Sequence, residues 1–167
     1  MTKRLILLMT LLAAAAGAQT YIWQQQGAKL PGSGTGTYWQ AGQATALSND
    51  GNTLLVGQPM DNSSVGSVLV WVRIGTTWGY QTQLSVGASV IAFGSSVALS
   101  GDGNTALIGA PNANSGYGAA YVFTRTGTTW SQQQQLTFTG HQGSSPAYGT
   151  SVALSSDGTT AAVGDSS

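Results

Sequence analysis

Three stretches of this chain are copies of one another, and their spacing limits the fold more than any other feature does. Residues 41–59 read AGQATALSNDGNTLLVGQP, 93–111 read FGSSVALSGDGNTALIGAP, and 148–166 read YGTSVALSSDGTTAAVGDS. Asp50, Asp102 and Asp157 stand 52 and 55 residues apart, and so do Ala46, Ala98 and Ala153, and Gly57, Gly109 and Gly164. Trp78 and Trp130 keep the first interval. Periods of this length belong to arrays of supersecondary units, each burying one face against the next.

The second copy shows what one unit contains. Residues 94–100 alternate, with Val97 and Leu99 on one face. Residues 101–104 form a hairpin turn whose Asp-Gly pair supplies the positive φ such turns need. A short apolar strand follows over 105–109, then a loop over 110–118 rich in Pro, Asn, Ser and Gly. Residues 119–125 are β-branched and aromatic, as strands prefer. After a turn at 126–128, residues 129–138 make a fourth strand, with Trp130 and Leu136 on the same face by parity. The first copy follows the same plan, with strands at 44–48, 53–57, 67–73 and 77–85. Four antiparallel strands in this length make one propeller blade.

The expected fold is therefore all-β: β-propeller blades of four antiparallel strands each, in an incomplete propeller. Repeat 1 spans 41–92, repeat 2 spans 93–147, and 148–167 is a truncated repeat 3. Residues 19–40 read as the tail strand of an earlier repeat and a linker, because Trp23-Gln24-Gln25-Gln26 echoes Trp130-Ser131-Gln132-Gln133. A closed ring needs about four to eight blades. The chain is accordingly expected to be the N-terminal piece of a longer reading frame.

Composition agrees with a folded β-protein. Only 6% of residues are charged, against about a quarter in ordinary domains. Five Trp, six Tyr and three Phe supply core, and the helix formers Glu and Lys are nearly absent. Two of the five cations, Lys3 and Arg4, sit at the extreme N-terminus. The remainder carries no basic patch, which disfavours nucleic acid and anionic membrane surfaces as partners. With no Cys, disulfides and thiolate metal sites are excluded.

Residues 1–18 read as a signal peptide. Lys3 and Arg4 form a positive region, an apolar run follows, and Ala16-Gly17-Ala18 is a small-residue cleavage site. The apolar run is shorter than the ~20 residues of a spanning helix. Cleavage after Ala18 and a secreted or cell-surface location are expected, with no membrane span in this stretch.

Phe93-Gly94 and Gly109-Ala110-Pro111 open and close the second copy. On these residues the chain resembles the FG-GAP repeat proteins, whose relatives include the integrin α-subunit propeller. Ala41-Gly42 and Tyr148-Gly149 stand in for Phe-Gly elsewhere, Gly57-Gln58-Pro59 keeps two of three closing residues, and Gly164-Asp165-Ser166 keeps the glycine. The resemblance implies β-propeller blades on secreted or surface proteins with adhesive roles. Many members carry a calcium loop with several carboxylates between the first two strands. Here that place holds one Asp per turn: Asp50, Asp102 and Asp157. Calcium takes six to eight oxygens, so each Asp reads first as a turn residue and only weakly as a metal ligand. No cofactor is expected.

No catalytic set is visible. His141 is the lone histidine, in an inter-repeat loop, and no pair of nearby carboxylates suggests acid–base work. Trp78 and Trp130 could stack on sugars, but their repeat spacing favours packing between blades. The contact candidates lie in variable loops: Trp39, Asp61, Asn62, Asn112, Asn114 and Tyr117. The first functional expectation is a non-catalytic binding or adhesion module for an extracellular protein or glycan. The alternatives are a propeller-scaffold hydrolase or lyase with its catalytic residues outside this stretch, and a structural repeat spacer.

Overall fold

The computed structural model describes residues 28–31, 40–137 and 146–166. It is all-β, with three antiparallel sheets. The first blade holds β1 (Thr45–Leu47), β2 (Thr53–Gln58), β3 (Ser67–Ile74) and β4 (Thr77–Leu84), hydrogen-bonded in that order. The second holds β5 (Ser96–Leu99), β6 (Thr105–Ala110), β7 (Ala119–Thr126) and β8 (Thr129–Leu136) in the same order. β9 (Ser151–Leu154) and β10 (Ala161–Gly164) form a two-stranded sheet. The innermost strands of neighbouring blades adjoin, β1 against β5 and β5 against β9. These are propeller-like blades. The leader at 1–18, the tail strand, Trp39 and His141 lie outside the described residues.

Strand parity decides what each face does. Val68, Val70, Leu55 and Leu84 of the first blade meet Ala106, Ile108, Ala119, Tyr121 and Phe123 of the second in one buried cluster. Phe93 is fully buried in it, edge-on to Tyr121 at 5.6 Å and to Phe123 at 6.0 Å between ring centroids. Burying a side chain of this size contributes about 1.5–3 kcal/mol, so this cluster ties the second blade to the first.

Two bulges break simple parity. In β4 the register passes from Thr82 opposite Val70 to Tyr80 opposite Trp71, leaving Gln81 as the extra residue. In β8 it passes from Gln134 opposite Val122 to Gln132 opposite Phe123, leaving Gln133. Trp130 therefore pairs with Arg125 while Leu136 pairs with Ala120. Those partners are an odd number of residues apart, so Trp130 and Leu136 lie on opposite faces. This corrects the expectation from counting alone, because a bulge inverts the side-chain alternation beyond it. Trp78 and Leu84 are separated in the same way, opposite Arg73 and Val68.

The motif glycines explain how blades are spaced. The N–H of Gly94 bonds to the Gly109 carbonyl of its own blade at 3.0 Å. Its own carbonyl lies against Gly57 of the preceding blade, where a Cβ would come within 2.1 Å of it. Gly66 bridges Phe93, and Gly118 bridges Tyr148, each as an isolated parallel pair. The opening Phe-Gly of one repeat is thus clasped by the closing glycine and the third-strand entry of the repeat before.

Candidate functional site

In an antiparallel meander alternate connections lie at opposite ends of the sheet. The β1–β2, β3–β4, β5–β6 and β7–β8 turns share one end. The β2–β3, β4–β5 and β6–β7 loops share the other. The three turns that carry the repeated Asp adjoin: Asn49 N–H bonds to the Gly101 carbonyl at 2.9 Å, and Gly101 N–H to the Ser156 carbonyl at 2.7 Å.

Each repeated Asp is committed to its own turn. Asp50 Oδ1 accepts from Ser48 Oγ at 2.6 Å and from Asn52 N–H at 2.9 Å, and Oδ2 accepts from Asn52 Nδ2 at 3.1 Å. Asp102 repeats this with Ser100 and Asn104, and Asp157 with Ser155 and Thr159. In each turn the serine hydroxyl, then the backbone N–H two residues on, holds the carboxyl below its ordinary value of 3.8. The glycine after each Asp takes positive φ, +67° at Gly51 and +71° at Gly103 and Gly158, a conformation that glycine adopts without Cβ strain. Among the described residues no three His, Cys, Asp or Glu side chains gather where they could hold a metal.

The loop end has a different character. Pro59, Met60, Ile91, Ala92, Ser95 and Asn112 surround a cleft of about 330 Å³ between the first two blades. Met60 and Ile91 are 43% and 46% exposed, and Tyr117 nearby in sequence to Asn112 is 47% exposed. Asn62, Asn112 and Asn114 are also exposed. Backbone geometry accounts for two of these asparagines. Asn62 and Asn114 occupy equivalent places with φ of +48° and +52°, and Asn tolerates the left-handed region better than most residues. Asn114 Nδ2 further bonds to the Gly118 carbonyl at 3.1 Å.

Asp61 departs from the expectation of an exposed loop contact. It is 4% exposed. Its Oδ2 accepts from Ser67 Oγ at 2.7 Å and Gln83 Nε2 at 2.9 Å, and its Oδ1 from Asn62 N–H at 2.9 Å. Gln58, Asp61 and Ser67, all buried, stand where the second blade has Ala110, Ala113 and Ala119. In the same repeat Ala41 replaces Phe93. The first blade thus trades an aromatic packing unit for longer polar side chains, and Asp61 belongs to that internal network. The Gln58–Asp61–Ser67 set was missed from sequence. Aligning it with the three alanines of the next repeat is the signal that marks it.

Of the two repeated tryptophans, Trp130 takes part in blade packing. It packs against the interblade core, and its Nε1 donates to Gln81 Oε1 of the first blade at 3.1 Å. No helix of the described residues is long and apolar enough to cross a membrane. No curated protein matches the chain. Residues 84–123 match the family model described as FG-GAP repeat. That span runs from the end of β4 through the Phe93-Gly94 opening and the Gly109-Ala110-Pro111 close into β7, and over it the chain is similar to the FG-GAP repeat.

Proposed function

We propose that the chain is a non-catalytic binding module of an exported or surface-exposed protein, and that it holds an extracellular protein or glycan at the loop end of its blades. The observation that carries this reading is the contrast between the two ends. The carboxylates of the turn end are taken up by their own turns. The loop end offers exposed Met60, Ile91 and Tyr117 beside exposed amides, a mixture of apolar area and adaptable hydrogen-bonding groups that suits protein and glycan surfaces. FG-GAP repeats are typical of extracellular or surface proteins, and the leader pattern of residues 1–18 agrees with export.

Two measurements test it. Terminal sequencing of protein exported by a secreting host should begin at Gln19. Immobilised chain, screened against extracellular-matrix proteins and a glycan array, should retain a ligand whose binding falls about tenfold in Tyr117→Ala or Ile91→Ser, as for a modest contact residue. Thr128→Ala, at the turn end, should leave binding unchanged. Binding that is lost with Thr128 and kept with Tyr117, or turnover of the retained ligand, would sink the proposal.

A further inference from the structure

At the loop end, the joint between the first two blades and the joint that follows it share one backbone frame. At the first, Ala92 takes a φ of +63°, its N–H bonds to the Ser64 carbonyl at 2.8 Å, and its carbonyl accepts from Ser95 Oγ at 2.8 Å. At the second, Ala147 takes a φ of +54°, its N–H bonds to the Gly116 carbonyl at 3.2 Å, and its carbonyl accepts from Thr150 Oγ1 at 2.6 Å. The side chains set on this frame differ. Met60 and Ile91 of the first joint are both exposed, whereas the second has an exposed Asn112 and a buried Pro146 at those places. The frame forms with either set, so it does not require two exposed apolar side chains at the first joint.

Those two side chains, with Pro59 and Ala92, give the cleft of about 330 Å³ its apolar lining, and Gln43 and Asn112 contribute amides. Among the described residues that line it, none is charged. Asp61, next in sequence to Met60, is buried and bonded to Ser67 and Gln83. A charged group entering the cleft would lose water without gaining an opposite charge. A sugar would set hydroxyls against Met60 and Ile91, where the hydrogen bonds that water gives them go unreplaced. An apolar side chain gains from both walls. The Met60 thioether accepts from Ser64 Oγ at 3.5 Å, and an unbranched Met adapts to aliphatic and aromatic partners alike. The volume is at the lower end of the range for ligand sites, about 300–1,000 Å³, which suits one large side chain.

We propose that this cleft takes one uncharged apolar side chain, aliphatic or aromatic, of a polypeptide ligand, while the amides of Gln43 and Asn112 hydrogen-bond to the main chain that carries it. Side-chain amides both donate and accept, as a peptide backbone requires. An anchor of this kind, seated in a pocket, supplies much of the affinity of a protein interface. The frame bonds at Ala92 fix the walls before a ligand arrives, which keeps the ordering cost of binding small. This rests on the loop end being the binding face, and it narrows the ligand from protein or glycan to protein.

Random heptapeptides displayed on phage and selected on the immobilised full chain test this, beside a glycan array. Retained peptides should share one large uncharged apolar residue. Replacing that residue by Ala or Lys in the synthetic peptide should weaken binding at least about tenfold, as for an anchor. Met60→Asn gives the first joint the residue that the second already carries, so its melting temperature should hold while affinity falls about tenfold. Met60→Leu should keep the affinity. Peptides released by Tyr117→Ala but not by Met60→Asn would overturn the assignment of the cleft and leave the loop end as the binding face. So would a glycan released by Tyr117→Ala with no peptide retained. Retention that neither change disturbs, or no retention of either class, would overturn both.

Discussion

The carbonyl oxygen of Gly149 stands so close over Gly109 that a Cβ built there would lie 2.0 Å from it. Gly109 belongs to the second blade and Gly149 to the start of the next repeat, so this approach sets the distance between them. Its backbone φ is not in the left-handed region. Space alone, and not backbone conformation, demands glycine.

Gly109→Ala should therefore lower stability by about 3 kcal/mol, the upper range for overpacking a tight site. Gly127→Ala is the comparison. It has positive φ but open space around its missing Cβ, and should cost about 1 kcal/mol. Urea unfolding of the two variants separates the effects. Equal losses would show that the blade-to-blade approach is not what constrains Gly109.

Gln81 gives a second expectation, because its Oε1 accepts from both Trp130 Nε1 at 3.1 Å and Arg125 Nη1 at 3.4 Å across the blade joint. Gln81→Ala leaves Trp130 Nε1 and one Arg125 nitrogen without their acceptor and should cost about 1–2 kcal/mol. In Trp130→Phe the indole donor is already gone, so the same Gln81 change should cost less. A double-mutant cycle on melting free energies should give a coupling near 1 kcal/mol. A coupling of zero would mean that solvent replaces the bond without loss.

Acid should act on the Asp turns. The carboxyls of Asp50, Asp102 and Asp157 are held below their ordinary value, foremost by the serine hydroxyl of each turn. A group depressed in the folded state lends stability that is complete above its unfolded value near 3.8 and fades as pH falls through the folded value. Melting temperature should thus decline below about pH 4, and Asp102→Asn should flatten that decline. The same carboxylates, already saturated by donors, should leave the melting temperature unmoved by millimolar calcium or by a chelator. A calcium-dependent rise of several degrees would contradict the turn-residue reading.

Most of the strand order was legible in the sequence because its causes are local. Alternation at Val97 and Leu99, the Asp-Gly turn at Asp102-Gly103, and the β-branched run into Phe123 each act within a few residues. The bulges at Gln81 and Gln133 were not legible. A bulge is a property of the pairing between two strands, and the glutamines around it carry no mark of which one is left unpaired. Asp61 was misjudged for a related reason. A carboxylate between Met60 and Asn62 looks solvent-bound until Ser67 and Gln83, from two different strands, are seen to converge on it. At the loop end, Asn62 and Asn114 are exposed, yet their identity answers first to a left-handed backbone.

The glycine clasp has a bearing on how such a chain can change. Nine positions separate Leu84 from Phe93, and twelve separate Leu136 from Tyr148, a difference that equals the three-residue gap between the two repeat intervals. Yet Gly66 meets Phe93 and Gly118 meets Tyr148 in the same parallel bridge. The connection between repeats can lengthen while the seating of each repeat on its predecessor stays fixed. This seam is where foreign sequence can be grafted, or new specificity acquired by insertion, at little cost to the architecture.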